Sequence, residues 1–297
     1  MNAPASRPTL RAALAAERPL VTPLAHDALS ARLIGRAGFR AFAIGGSAML
    51  ASRLGLPDIG LVGLGDMADG IRDIAAASRL PFFADGDDGY GDVKSVARTV
   101  ETYERLGVGG ILIEDQQREH KQQRADRALG VVERAVIEQK LRVALSSRAS
   151  RETLIIGRTD AYGVAGLDEA LRRAEGFAKL GVDGIFVAGV KSLDDYARIG
   201  RELGGVALSA ALFETPGMPW PTPAQLGELG FAHVSYPASL MFRVATAMSD
   251  ALAALRAHAD GRANMAQDTR AADARAMLDD AVELKRWQDV ERGSAHP

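Results

Sequence analysis

Cysteine is absent from this chain. Disulfides, thiolate nucleophiles and zinc–thiolate centres are therefore excluded. Net charge is nearly absent too, −2 at pH 7, which argues against a nucleic-acid or membrane-surface partner. No apolar run is long enough to span a bilayer, and the first residues lack the apolar core of a signal peptide. The expectation is a cytoplasmic globular protein. No Gly-x-Gly-x-x-Gly opens a helix after the first strand, which disfavours a dinucleotide-binding open sheet. The 297 residues suffice for one large α/β domain.

The stretch that organises the chain is Phe83-Ala84-Asp85-Gly86-Asp87-Asp88-Gly89-Tyr90-Gly91. An apolar run over 80–84 reads as a buried strand. Val93, Val96, Ala97, Val100 and Tyr103 then recur at helical spacing. Three acids thus lie in a turn between strand and helix. Carboxylates packed this closely repel one another, and oxygen ligands of this kind suit Mg²⁺ or Mn²⁺. Alone, such a turn reads equally well as a solvated loop with an Asp capping the next helix. Acids at equivalent places elsewhere shift the balance.

Residues 1–8 read as a disordered lead-in. Then one pattern recurs. Gly38, Gly107, Gly181 and Gly230 each end an amphipathic helix and precede a short apolar run, at 41–44, 111–113, 185–187 and 233–235. Glycine there permits the left-handed residue that stops a helix. Further runs at 20–24, 80–84, 153–157 and 206–210 bring the strand candidates to eight, alternating with helical patterns such as 167–180 and 192–203. This predicts a TIM (β/α)8 barrel over about 9–250. Helices are expected over 239–258 and 268–291, the extension beyond 250 belonging to the same single domain. Its apolar Met277, Leu278, Ala281, Val282, Leu284 and Trp287 need a surface to cover them, their own barrel or a neighbouring subunit.

In a TIM barrel the active site lies at the C-terminal strand ends. Those ends supply Gly45, Gly46 and Ser47, then Asp85 and Asp87, Glu114 with Asp115, Arg158 with Asp160, and Glu214; the loop after Ser47 adds Asp58. Carboxylates, one arginine and a backbone-donor turn at one mouth fit a divalent cation and an anionic, oxygen-rich substrate. Arg158 can grip a carboxylate or an enolate in a two-pronged fork. Singly, each residue has a plainer reading: Asp58 as a turn residue, Glu114 and Asp115 as caps, Arg158 as the partner of Asp160. Among the histidines, His120 stands out in the polar stretch after Glu114.

Several segments, taken together, resemble the isocitrate lyase/phosphoenolpyruvate mutase superfamily: His26-Asp27-Ala28-Leu29-Ser30-Ala31-Arg32, Leu54-Gly55-Leu56-Pro57-Asp58, the Asp85–Gly91 turn, Ile113-Glu114-Asp115-Gln116, Gly157-Arg158-Thr159-Asp160-Ala161 and Tyr236-Pro237. They cover roughly residues 20–245. The resemblance implies a barrel that binds Mg²⁺ and turns over a small keto or hydroxy dicarboxylate through an enolate. It implies a homotetramer, a dimer of dimers, whose C-terminal helices are exchanged between subunits. By the same resemblance Asp58, Asp85, Asp87 and Glu114 would hold the ion. Amides around Gly46 and Ser47 would bind a substrate carboxylate, Arg158 would stabilise the enolate, and His120, Lys121, Gln122, Gln123 and Arg124 would form a gate.

The departures bear on the reaction. The family's lyases carry a cysteine in the gate, where this chain has glutamine, which does no acid–base work. Ala188 replaces a glutamate after the sixth strand and Ala211 a pocket asparagine, while Glu214 fits a nearby family glutamate. The asparagine–serine gate of the phosphonate-forming mutases is also missing. Metal and enolate machinery without the thiol suits decarboxylation of oxaloacetate or a related β-keto acid, with water protonating the enolate. The alternatives are a retro-aldol lyase on 2-methylisocitrate or a substituted malate such as 2,3-dimethylmalate, or a phosphorus–carbon bond enzyme of the phosphonopyruvate type. In these His120, Lys121 or Tyr90 would replace the cysteine. A further alternative is a non-catalytic dicarboxylate-binding barrel. Ala188, Ala211 and Trp220 are the positions expected to set the substrate side chain.

Overall fold

The structure is a computed structural model that describes residues 7–121 and 129–293. Its described strands are β1 (Leu20–Pro23), β2 (Phe42–Ile44), β3 (Phe82–Asp85), β4 (Gly110–Glu114), β5 (Leu154–Thr159), β6 (Gly184–Val187), β7 (Ala207–Ala211) and β8 (Phe231–Tyr236). All pairs are parallel, in the order β1-β8-β7-β6-β5-β4-β3-β2. A bridge from Leu24 to Ala43 and a 2.9 Å hydrogen bond from Ala25 N–H to the Ala43 carbonyl join β1 to β2. The sheet closes on itself, as the TIM-barrel reading requires.

The strands are short, buried and rich in Ile, Val, Leu and Phe, as a parallel sheet covered on both faces demands. The helix-to-strand glycines adopt the left-handed backbone expected of them: φ is +88° at Gly38, +79° at Gly107, +81° at Gly181 and +93° at Gly230. A side chain at these positions would be strained.

The helix Leu10–Ala16, capped by Thr9, places Leu10 and Ala13 in one buried cluster with Leu20, Phe83, Leu154 and Ile156. Arg7 donates to the carbonyls of Ala75 and Ser78 at 2.8 and 3.0 Å. Residues 7 and 8 are thus part of the fold rather than of a loose lead-in; residues 1–6 of that expectation lie outside the described residues.

The chain divides into two compact units, Arg7–Ala238 and the helices from Ser239 onward. The second unit contains the helices Ser239–Ala259, Ala271–Ala281 and Leu284–Glu291. The helix expected over 268–291 is therefore two. Its break falls at Glu283, whose φ of +57° takes the backbone out of the helical region. No helix among the described residues is long and apolar enough to cross a membrane.

His233 on β8 lies buried between two hydroxyls, Thr22 on β1 at 2.7 Å from Nε2 and Ser209 on β7 at Nδ1, with Phe83 stacked on its ring. Burial pushes its pKa from 6.5 down to about 3. Between those values the unfolded chain binds a proton that the folded chain does not. Stability should thus rise with pH from about 3 to 6.5, by up to about 1.4 kcal/mol per unit from this residue, and level off above. Urea midpoints at pH 4.5 and 7.5 check this. The loss on acidification should be smaller in His233→Asn than in the wild type; equal losses would show that the folded barrel accepts the proton.

Candidate active site

The acidic turn is built by its own backbone. Asp85 ends β3 and accepts a hydrogen bond from Asp87 N–H at 3.0 Å. Asp87 and Tyr90 both sit at positive φ, +48° and +59°, a strained conformation for residues with side chains. The following helix, Val93–Arg105, is capped by Asp92, not by the acids of the turn. Those acids are thus available for other partners. The Asp87 carbonyl accepts from Glu114 N–H at 2.9 Å, tying the turn to the end of β4.

Two tyrosines, Tyr103 buried and Tyr90 half-buried, hold the turn in place. Tyr103 donates to the Asp85 carbonyl at 3.0 Å, and its hydroxyl lies 2.9 Å from that of Tyr90. Burial pushes both phenols upward, so both stay neutral. Asp88 turns away from the other acids to Lys140, at 3.1 Å, and Arg118, at 3.5 Å.

The remaining carboxylates converge on cations. The Lys121 ammonium, 8 % exposed, lies 2.5 Å from Asp87, 2.8 Å from Asp58 and 3.9 Å from Glu114. Arg158 Nη1 lies 2.8 Å from Glu114 and 3.6 Å from Asp85. Its Nε and Nη2 both hold Asp160 at 2.9 Å. The fork expected to grip substrate is therefore occupied by Asp160, and Nη1 is the prong directed at the carboxylates. Asp115, fully buried, accepts from Thr159 Oγ1 at 2.6 Å, Asp160 N–H at 2.8 Å and Arg173 Nη1 at 3.1 Å. It fixes the end of β5, and through it Arg158.

Asp58, Asp85, Asp87, Glu114 and Asp160 outnumber Lys121 and Arg158. The titration of the site reflects burial first and this imbalance second. Burial, then the charge of Asp85, pushes Asp87 up to about 6, while Lys121 pulls it back. Burial pushes Glu114 up against the opposing pull of Arg158. Burial would discharge Lys121, but Glu114, Asp87, Asp85 and Asp58 together hold its proton more tightly than usual.

Among the described residues no three carboxylate or histidine side chains close around a common point as they stand. The Lys121 ammonium lies between those expected to do so. The fit to a divalent cation is nonetheless good. The donors are hard oxygens in negative excess, and a positive group has already been drawn among them.

A cavity of about 340 Å³ opens at this end of the barrel. Its lining includes Gly45, Gly46, Ser47, Asp58, Asp85, Lys121 and Arg158. Gly45 caps the helix Gly46–Leu54 with no side-chain bond, and a Cβ on Gly46 would stand 2.7 Å from Asp58 Oδ2. Glycine is what allows that approach. Asp87 and Glu114 lie behind the lining, reached through Lys121 and Arg158. Tyr90, Glu214 and Trp220 are not among the lining residues. Tyr90 is engaged with Tyr103, and Trp220 packs edge-on against Tyr236 at 5.5 Å. Of the expected gate, His120 and Lys121 are described, and Gln122, Gln123 and Arg124 lie outside the described residues.

The sequence profile of the phosphoenolpyruvate phosphomutase family matches residues 10–256. The chain is 34 % identical over 249 residues to the 2,3-dimethylmalate lyase of Eubacterium barkeri, covering 83 % of this chain and 85 % of that protein. It is 33 % identical over 232 residues to an oxaloacetate decarboxylase of Bradyrhizobium sp. strain BTAi1, with 76 % and 75 % covered. Among solved structures, a phosphonopyruvate hydrolase in complex with oxalate and Mg²⁺ superposes with a TM-score of 0.78 at 25 % identity, covering 95 % of this chain and 96 % of that one. The barrel with acids and arginine at its mouth is that of a lyase. The chain belongs to the isocitrate lyase/phosphoenolpyruvate mutase superfamily.

Sequence reasoning missed the supports: Tyr103, Lys140 and Arg173 read as ordinary helix positions, and contact with neighbouring turns and strand ends is what gives them these partners. Asp115→Ala should cost about 1–3 kcal/mol in urea unfolding, because it removes the acceptor of three buried hydrogen bonds while Arg173 keeps Glu169 and the Val132 carbonyl. Asp115→Asn should cost less. A loss near zero for the alanine variant would mean that water replaces all three of these bonds.

Proposed function

We propose that this lyase breaks a carbon–carbon bond by decarboxylating oxaloacetate or a related β-keto acid, with a divalent cation held by Asp58, Asp85, Asp87 and Glu114. The observation that carries the reading is the cavity where Arg158, the carboxylates and the start of the helix Gly46–Leu54 meet, in a chain without a thiol. A divalent cation bound there supplies Lewis-acid polarisation of the keto oxygen and its neighbouring carboxylate.

The chain's own residues account for the rest. Amides at the start of the helix Gly46–Leu54 orient the substrate carboxylate. The bond to the departing carboxylate breaks, CO₂ leaves, and the electron pair passes to the keto oxygen as an enolate. Arg158 Nη1, fixed by Asp160, presents a charge complementary to the oxyanion. Water then delivers a proton to carbon. No thiol is needed for any of these steps.

The retro-aldol alternative draws support from the dimethylmalate lyase relative and from Lys121, which lines the cavity and could handle a proton. A panel assay separates the readings. Oxaloacetate, 2-methylisocitrate, 2,3-dimethylmalate and phosphonopyruvate are incubated with Mg²⁺, with and without EDTA, and 2-oxo acid release is followed. EDTA-sensitive turnover of oxaloacetate alone is the expected result. Turnover of a hydroxy acid would favour the retro-aldol lyase, and phosphonopyruvate turnover the phosphorus–carbon enzyme. Silence on all four with tight oxalate binding would favour a binding protein.

Asp85→Ala should abolish metal-dependent turnover while the far-ultraviolet circular dichroism stays unchanged. Arg158→Ala should lower kcat with little change in KM, because the oxyanion arises after binding. A pure KM effect would assign Arg158 to ground-state binding.

We also infer a homo-oligomer, a tetramer with exchanged C-terminal helices. The support is apolar exposure in the second unit, where Phe242, Met248, Leu252 and Trp287 are each at least half exposed, more than a solvated helix leaves bare. Light scattering should give a multiple of the 31.4 kDa chain; a monomer would refute the assembly.

A further inference from the structure

The charge in the cavity lining is one-sided and follows the strand order, although β2 to β4 also supply the apolar Ala43, Ile44, Phe83, Ala84 and Leu112. Every charged residue among its described lining comes from β2 to β5 or the segment just after one of them: Asp58, Asp85, Lys121, Arg158 and Asp160. The strands β6, β7, β8 and β1 are contiguous in the ring. They contribute Leu24, Phe186, Ala188, Ala211, Phe213 and Pro237. Leu24, Phe186 and Ala188 belong to the buried core of the barrel, and Ala211 packs against it.

The polar groups in this second half are already engaged. His233 has a hydroxyl at each ring nitrogen, and burial keeps it neutral. Ser235 Oγ donates to the Ala210 carbonyl at 3.3 Å. The nearest cation is Arg158, 5.5 Å from the Phe186 ring centre and already held by Asp160 and Glu114, so a carboxylate placed against Ala188, Ala211 and Phe213 would lose its water with no free counter-ion to replace it. A hydrocarbon group placed here would lose water at a profit in free energy and meet the side chains of a packed core. The alanines at 188 and 211 leave the space for it.

We propose that the apolar half of the cavity receives an alkyl branch on the substrate carbon next to the scissile bond, so that the preferred substrate is a 3-alkyl-substituted β-keto dicarboxylic acid rather than unsubstituted oxaloacetate. This rests on the decarboxylase reading for the reaction. The placement of the branch rests on the cavity alone. The chemistry stays balanced as before: the carboxylate leaves as CO₂, its bonding pair forms the enolate, and water returns a proton to the branched carbon.

The test uses the full chain with Mg²⁺ and two measurements. CO₂ release is compared for oxaloacetate and its 3-methyl and 3-isopropyl derivatives. Binding of the inert hydroxy acids malate and 3-isopropylmalate is compared by calorimetry. The expected result is a kcat/KM about tenfold or more higher for the isopropyl substrate, the scale on which a hydrophobic pocket reads added methylenes, with a similar ratio in the binding constants. In Ala211→Leu the added side chain fills the half-cavity, and both ratios should fall toward one. Ala188→Leu serves the same purpose if the first variant does not fold. Oxaloacetate turnover with no gain from the branch, and equal binding of the two malates, would overturn the inference and leave the decarboxylase reading standing. Tighter binding of 3-isopropylmalate with no keto acid decarboxylated would support the apolar subsite and sink the decarboxylase reading instead. Unchanged ratios in both leucine variants would place the branch elsewhere and overturn the assignment.

Discussion

Carboxylates that share a confined space repel one another, and this repulsion governs the mouth of the barrel. Asp58, Asp85, Asp87, Glu114 and Asp160 arrive there from the ends of different strands and the loops after them. Each is placed by backbone geometry before any partner is considered. The charge they bring has to be answered, and the answers are specific: Lys121 between Asp58 and Asp87, Arg158 between Glu114 and Asp160, Lys140 drawing Asp88 aside. Burial raises the proton affinity of Asp87 and Glu114, and the charge of Asp85 adds to it. The excess of carboxylates over cations at this mouth is what a hard divalent ion would answer.

The barrel was readable from the sequence because its cause is local and repeated. A helix that must stop, a glycine that stops it and a buried strand that follows leave a visible trace each time. The acids at the strand ends were readable for the same reason, because a strand end is a sequence position. The pairing of those acids was not. Arg158 and Asp160 are two residues apart, so their contact was foreseeable, but that it would occupy the Arg158 fork depends on Asp115 and Arg173, 43 and 15 residues from Arg158 in sequence. Lys121 was assigned to a gate by its place after Glu114; its insertion among the carboxylates is a matter of three-dimensional approach. Tyr90 looked chemical because it stands in an acidic turn, and packing gives it Tyr103 instead. The break at Glu283 left no trace either, since neither proline nor glycine marks it.

The two halves of the cavity separate what the reaction requires from what the substrate's size requires. The charged lining residues all lie on β2 to β5 or the segments after them, and the lining from β6 to β1 carries none. Relatives on this fold carry names that differ in their substrates while the barrel stays superimposable. A division of this kind lets side chains that set size change without moving those that set charge.

The order of the strands also carries a folding consequence. Each pairing from β2 through β8 joins neighbours in the chain, whereas β1 with β8 joins residues 20–23 to residues 233–236. That closing pair has by far the greatest sequence separation in the sheet, so the loop entropy of the whole barrel is concentrated in one event. The hydroxyl–imidazole–hydroxyl bridge from Thr22 through His233 to Ser209 spans that seam. The seam that closes the longest loop in the sheet is therefore stapled by a histidine whose proton the folded state refuses.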